Sequence, residues 1–139
     1  MKKIALTSLL IIILVVSSVA LTACANAQYA GTYEMVSVSG TMTANGQTID
    51  LDTSLYEYYR IILKANGKAI VESKASTSGL AVEMEGEWEY KNNQIHLTTT
   101  TAGIKVIEIM DIEGDTITYT AKQQAQGITI NFTIVMKKQ

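Results

Sequence analysis

The chain has 139 residues and a formal net charge of −2, with one cysteine, one histidine and no proline. A chain of this length is enough for one domain and too short for two. The excess of acidic over basic side chains argues against nucleic acid as a partner, because nucleic-acid binding needs a basic patch. The single cysteine excludes a disulfide within the chain.

The first 23 residues have the pattern of a bacterial export signal. Lys2 and Lys3 precede an apolar run over residues 4–19, and no further charge occurs before Glu34. The run is about 16 residues long, whereas a bilayer span needs roughly 20, so a cleaved signal is favoured over a permanent transmembrane helix. We therefore predict a helical signal peptide over residues 1–23.

At the end of this segment, Leu21, Thr22 and Ala23 place an aliphatic residue and two small residues ahead of Cys24. This pattern resembles the lipobox of bacterial lipoproteins. The resemblance implies that the Cys24 thiol receives a diacylglycerol and that the peptide is cut before it. It also implies acylation of the new amine, for example by palmitate, and two or more acyl chains anchor a protein stably. The alternative is an ordinary signal peptide that contains a cysteine.

The lipobox reading predicts an extracytoplasmic protein attached to a bacterial cell membrane, inner or outer, through Cys24. Residues 24–30 are predicted to be a lipidated tether, and residues 31–139 the folded domain. The six residues after Cys24 span at most about 20 Å at ~3.3 Å per residue, so we expect the domain to lie close to the lipid surface. Without Lys2 and Lys3, 9 basic side chains face 13 acidic ones.

Hydrophobic alternation with a period of two residues dominates the sequence after residue 30, as is typical of β-strands. The last strand has apolar residues on one face, namely Ile128, Ile130, Phe132, Ile134 and Met136. Turn signals separate such runs at Asn45-Gly46, Asn66-Gly67, 91–94, 113–115 and Gln126-Gly127. Short turns in sequence order predict an all-β, up-and-down antiparallel meander of eight to ten strands. Closure into a small barrel removes the two sheet edges.

Two segments depart from the alternation. Residues 52–59 contain Asp52, which is a suitable helix cap, so we expect one helical turn or an ordered loop there. Residues 104–112 carry aliphatic side chains on both faces. This second segment is expected to contain a bulge or to be covered on both sides.

Four stretches of the predicted strands form a recognisable series. They are GTYEMVSVSG at 31–40, IILKANGKAIVE at 61–72, GEWEYKNNQIHL at 86–97, and DIEGDTITYT followed by ITINFTIVMKK near the C-terminus. In this order they resemble the small lipocalin-like domains of bacterial lipoproteins. The resemblance implies a calyx-like barrel and binding of a small apolar ligand. It fixes no catalytic or ligand-binding residue, so none is carried over.

Aromatic residues supply the candidate ligand contacts. Trp88 and Tyr90 are predicted to point inward, either as core or as an aromatic wall. Tyr33 is predicted to lie in the interior of the first strand. Tyr56 and Tyr59 lie with Tyr58 in the irregular segment, where they form a lid over the barrel mouth or a contact patch for a partner protein.

The smaller inward residues leave the interior undecided between a cavity and close packing. On the alternation these residues are Ser37, Ala69, Ser73 and Ala121. His96 alternates with Ile95 and Leu97 and is expected to face outward. The acidic residues of EMEGEWE, residues 83–89, are expected to line a solvated face rather than to bind calcium.

The sequence predicts no catalytic residue, no metal site and no cofactor, and we expect the protein not to be an enzyme. We predict a lipid-anchored binding protein that holds a small hydrophobic ligand in its barrel. The alternative is a solid-core scaffold or inhibitor that docks a partner protein of unknown identity through its surface.

Overall fold

The computed structural model describes residues 26–139, and the predicted signal peptide and Cys24 lie outside them. In this described part of the chain, nine strands follow one another, with a single 3₁₀ turn at Thr53–Leu55. The strands are β1 (Gly31–Ala44), β2 (Gln47–Leu51), β3 (Tyr56–Leu63), β4 (Lys68–Ala75), β5 (Ala81–Lys91), β6 (Gln94–Thr101), β7 (Ile104–Glu113), β8 (Thr116–Ala125) and β9 (Ile128–Lys138). Within residues 26–139, no helix has the length and hydropathy needed to cross a membrane.

The strands form an antiparallel meander that closes into a barrel. From β3 to β9, each strand pairs with the next one in sequence. Strand β1 closes the circle, since its first residues pair with β3 while almost its whole length pairs with β9. Strand β2 pairs only with the last five residues of β1 and extends one rim. The predicted all-β barrel is confirmed, with eight strands in the closed wall.

Tight turns with left-handed backbone connect the strands. Asn45 and Gly46 have φ values of 51° and 74°, and Asn92 and Asn93 have φ values of 53° and 62°. Two consecutive residues with positive φ match the twist of a hairpin, which explains why Asn and Gly occupy these turns. Consecutive turns lie at opposite ends of the barrel, so every strand ends at one of two rims.

The two ends of the barrel differ in how they are filled. The closed end carries the β3–β4, β5–β6 and β7–β8 turns together with residues 26–30, and the open end carries the other hairpin turns. Buried apolar side chains concentrate at inward positions toward the closed end. They include Tyr33, Ile61, Leu63, Ala69, Val71, Trp88, Ile95, Leu97, Met110, Ile112, Ile117, Ile134 and Met136.

Residues 26–30, the described part of the predicted tether, lie at the closed end. Residues 26–29 form one helical turn, in which the Ala30 amide donates to the Asn26 carbonyl over 2.9 Å. The ring of Tyr29 stacks on Tyr90 with centroids 4.4 Å apart. Aromatic stacking therefore holds the N-terminal residues of the described chain on the barrel.

A β-bulge changes the inward set of β1. Met35 pairs with Met136 and Ser37 with Val135, so Val36 is an extra residue. Since a bulge reverses the faces that follow it, Tyr33 lies inside before it and Val38 lies inside after it. The prediction that Ser37 points inward is therefore wrong.

The segment before β3 adopts the predicted helical turn. Asp52 caps it, because its carboxylate accepts a hydrogen bond from the Ser54 amide at 2.8 Å. The Val38 amide donates to Thr53 Oγ1 at 3.2 Å. These bonds fix the turn against β1 at the open end.

Strand β7 follows neither of the two predicted arrangements. Its register with β6 runs without a bulge, and its outward residues Ile107 and Ile109 are 63% and 49% exposed. It pairs with β8 only through Asp111–Glu113. Toward the open end, β7 and β8 are therefore not joined by ladder hydrogen bonds.

Candidate functional site

A cavity of about 290 Å³ lies at the open end of the barrel. Strands β1, β2, β3, β8 and β9 and the 3₁₀ turn all contribute to its wall. The lining residues are Met42, Leu51, Leu55, Tyr56, Gln123, Ile130 and Phe132. Five of these seven side chains are fully apolar, and only Tyr56 and Gln123 carry a polar group. The cavity is therefore mainly apolar, as small-molecule sites usually are.

The 3₁₀ turn places Leu55 at the mouth of this cavity. The Leu55 amide donates to the Asp52 carbonyl at 3.1 Å, and the Leu55 carbonyl accepts from the Ser76 amide at 3.0 Å. The turn is thus tied to the β4–β5 loop as well as to β1. This arrangement gives the mouth a fixed apolar rim.

Two edge-to-face aromatic pairs stand beside the cavity. Tyr56 and Tyr59 have ring centroids 5.5 Å apart at an interplanar angle of 65°. Tyr119 and Phe132 have centroids 5.8 Å apart at 76°. Such geometry aligns the positive edge of one ring with the negative face of the other. The open half therefore has aromatic walls from β3, β8 and β9.

One acidic side chain points into the open half. Glu108 pairs across strands with Leu97, which is fully buried, and cross-strand partners share a face of the sheet. The Tyr119 hydroxyl donates to Glu108 Oε1 at 2.9 Å. Burial is the main cause that raises the pKa of both Tyr59 and Tyr119 well above the ordinary value, and the Glu108 charge is the second cause. Both hydroxyls therefore stay protonated beyond the pH at which an ordinary tyrosine ionises.

The five predicted ligand contacts divide between the two ends. Tyr56 lines the cavity and Tyr59 contacts Tyr56, so these two stand at the open end. Trp88, Tyr33 and Tyr90 stand at the closed end. Ligand contact by any of the five stays a prediction.

Hydrogen bonds explain why the closed-end aromatic residues are packed as they are. Trp88 Nε1 donates to the Lys64 carbonyl at 2.8 Å, and the Tyr33 hydroxyl donates to the Tyr29 carbonyl at 2.8 Å. Burial, with the nearby Asp115 charge, raises the pKa of Tyr33 to about 12. Polar tips are satisfied here while the rings fill the core.

Tyr58 does not join Tyr56 in an exposed patch. Tyr56 faces the cavity, whereas Tyr58 lies beneath the guanidinium group of Arg60, with Cζ 5.3 Å from the ring centroid. A bulge between Tyr56 and Tyr58 separates the two rings onto different faces. The segment that broke the alternation thus supplies one cavity wall and one surface ring.

The sequence did not identify several cavity-lining residues as ligand contacts. They are Met42, Leu51, Leu55, Gln123, Ile130 and Phe132. The hydrogen-bonded pair Glu108 and Tyr119, which is not part of this lining, was also not identified as a candidate. The sequence did contain a signal that Glu108 points inward, because Glu108 lies on the same alternating face as Met110 and Ile112, which are buried. The aliphatic residues on the other face of β7 obscured that alternation.

The remaining polar candidates lie on the outside of the barrel. His96 faces outward between the buried Ile95 and Leu97, and its Nε2 atom is buried without a hydrogen-bond partner. The four glutamates of β5 are exposed, and Glu87 forms an ion pair with Lys68 at 2.8 Å. Among residues 26–139, no three His, Cys, Asp or Glu side chains converge as a metal site would require.

An antiparallel barrel closed at one end and hollow and apolar at the other defines a calyx-like binding domain. The family model for the lipocalin-like domain matches residues 30–133, and the chain belongs to this family. Lipocalin-like barrels generally bind small hydrophobic ligands and are generally not enzymes. Searches of curated proteins and of solved structures gave no significant match to this chain.

Proposed function

We propose that this protein is a lipid-anchored, extracytoplasmic binding protein that holds a small hydrophobic ligand in the open half of its barrel. The apolar cavity at the open end is the observation that carries the proposal. Its volume of about 290 Å³ lies at the lower end of the range for small-molecule sites, ~300–1,000 Å³. The cavity therefore suits a short alkyl chain or a single ring better than a full-length lipid.

The proposed anchor fits the position of the cavity. Only Ala25 separates Cys24 from Asn26, which belongs to the helical turn packed at the closed end. Acyl chains on Cys24 would hold the closed end against the lipid surface. The mouth would then face away from the membrane, where a ligand can enter from the aqueous side.

One observation favours a second function, the docking of a partner protein. Outside the cavity, β7 exposes the outward-facing Ile107 and Ile109 to solvent at 63% and 49%. Its backbone groups toward the open end are also not paired with β8. Exposed apolar side chains beside an unpaired strand edge are typical of a protein contact. Crosslinking from Ile107 on intact cells tests this second function.

Binding of octanol to the full chain in lipid nanodiscs tests the ligand site. Isothermal titration against empty nanodiscs is expected to give one saturable event per chain. In the variant Ala121→Phe, the new ring enters the open half, because Ala121 pairs with the inward Phe132. We expect this variant to weaken octanol binding at least about tenfold, roughly 1.4 kcal/mol.

The matched control places the same ring on the outside. Thr120 is the neighbouring exposed residue of β8, so Thr120→Phe should leave octanol affinity unchanged within about twofold. The proposed site would be contradicted if octanol gave no larger heats with the protein than with empty nanodiscs. It would also be contradicted if the two variants weakened octanol binding equally.

A further inference from the structure

The acidic side chain inside the barrel carries an inference about ligand chemistry. Glu108 occupies an inward position of β7, together with the buried Met110 and Ile112. Glu108 is half-buried, and most side chains of the open half are apolar or carry a hydroxyl group, with the Gln123 amide as an exception. A carboxylate in such surroundings loses part of its hydration, so a cation beside it would stabilise its charge.

The described residues supply one hydrogen bond to this carboxylate and no cation. The Tyr119 hydroxyl contacts one of its oxygens at 2.9 Å. The four ion pairs within residues 26–139 are formed by other acids. The basic residues nearest the open half alternate with inward positions and therefore face outward; they are Arg60, Lys74, Lys105 and Lys122.

Aromatic rings surround the same position. The Glu108 charge contributes to the raised pKa of both Tyr59 and Tyr119. Tyr59 is in edge-to-face contact with Tyr56, and Tyr119 with Phe132; Tyr56 and Phe132 both line the cavity. An ammonium group is attracted both to a carboxylate and to the faces of such rings. Tyr56 and Phe132 line the apolar cavity and contact Tyr59 and Tyr119, so the cavity lies one ring away from the carboxylate and its tyrosines.

We propose that the open half of the barrel binds cationic amphiphiles, whose protonated amine pairs with Glu108 among the rings of Tyr59 and Tyr119 while the apolar tail fills the cavity. The inference rests on the proposed function, because it assigns a charge to the ligand of the same site. A ligand ammonium would replace the cation that the protein wall lacks. Anionic amphiphiles would be rejected by the same carboxylate.

Three ligands that share the same eight-carbon chain and differ in charge separate the effect of charge from that of hydrophobicity. Octylamine, octanol and octanoate are titrated at neutral pH into the full chain in nanodiscs, with empty nanodiscs subtracted. We expect octylamine to bind at least about tenfold more tightly than octanol, and octanoate to bind more weakly than octanol. In Glu108→Gln, which keeps an oxygen acceptor for Tyr119, the preference for the amine should fall to within about twofold of octanol.

Glu113→Gln is the matched control, since it removes one charge from an exposed position of the same strand. It should retain the amine preference. Equal affinity of the wild-type protein for octylamine and octanol, or an amine preference that survives in Glu108→Gln, overturns the inference while leaving the proposed function in place. If Glu108→Gln does not fold, the ranking of the three ligands on the wild-type protein decides. Absence of binding by all three ligands overturns both proposals.

Discussion

Tyr33 links the first strand to the residues that precede the barrel. Its ring is fully buried, and its hydroxyl donates to the Tyr29 carbonyl at 2.8 Å. Burial is the main reason why the pKa of this hydroxyl is raised to about 12, and the Asp115 charge adds to it. The side chain therefore acts as a neutral donor that holds the N-terminal turn against the closed end.

Because of Tyr33, we expect the stability of the protein to depend on pH in the alkaline range. An unfolded tyrosine ionises near pH 10, whereas folded Tyr33 ionises near 12. Between these values the unfolded state has lost a proton that the folded state retains, so the free energy of unfolding decreases as pH rises. In Tyr33→Phe this contribution is absent, and the decrease from pH 10 to 12 should be shallower by up to about 1.4 kcal/mol per pH unit.

Urea unfolding followed from pH 8 to 12 checks this expectation. At pH 8 the variant should already be about 1 kcal/mol less stable, because the hydrogen bond to Tyr29 is lost. Stability profiles of the wild type and Tyr33→Phe that run parallel above pH 10 would show that Tyr33 ionises equally in both states.

At the scale of elements, the contact between β1 and β9 depends on Gly40. A side chain here would overlap the Asn131 carbonyl oxygen and place a Cβ atom 2.7 Å from the Phe132 Cα. Gly40 also has a φ of +138°, a value that L-residues with side chains rarely adopt. Both obstacles involve backbone, so the strands would have to separate to accommodate a methyl group.

Gly40→Ala is therefore expected to cost about 2–3 kcal/mol of unfolding free energy. It should also weaken octanol binding, because Phe132 lines the cavity. Ser39→Ala is the control, since Ser39 is an exposed neighbour on the same strand and should change stability by no more than about 0.5 kcal/mol. Equal stability of the two variants by urea unfolding would mean that β1 and β9 are not packed this closely.

The elements that the sequence predicted well are those with one clear signal. In β9, Ile134 and Met136 are buried on the alternating face, and the paired Asn92 and Asn93 form a turn with positive φ. Period-two burial and turn chemistry are local properties, so they can be read from neighbouring residues.

The elements that the sequence missed depend on distant contacts. Around Val36, either face could have been inward, and only pairing with β9 sets the bulge. In β7, aliphatic side chains on both faces concealed the inward Glu108. No local signal predicts the packed turn at residues 26–29, because Tyr29 is held by Tyr90, about sixty residues away.

Over the whole molecule, the two halves of the barrel differ in how closely they are packed. The closed half contains the fully buried side chains, such as Ile95 and Ile117. The open half retains a cavity, a carboxylate and a wall in which β7 and β8 are not paired. Empty volume weakens a core by removing packing partners, so a hollow half is tolerated where the other half is closely packed.

The proposed function places an apolar ligand in the open half of the barrel. Intermolecular nuclear Overhauser effects between octanol and the side chains of the full protein in nanodiscs locate the bound ligand. We expect effects from the alkyl protons to Met42 and Phe132 and none to Ile117 at the closed end. Effects confined to the outward Ile107 and Ile109, or to Ile117, would contradict it.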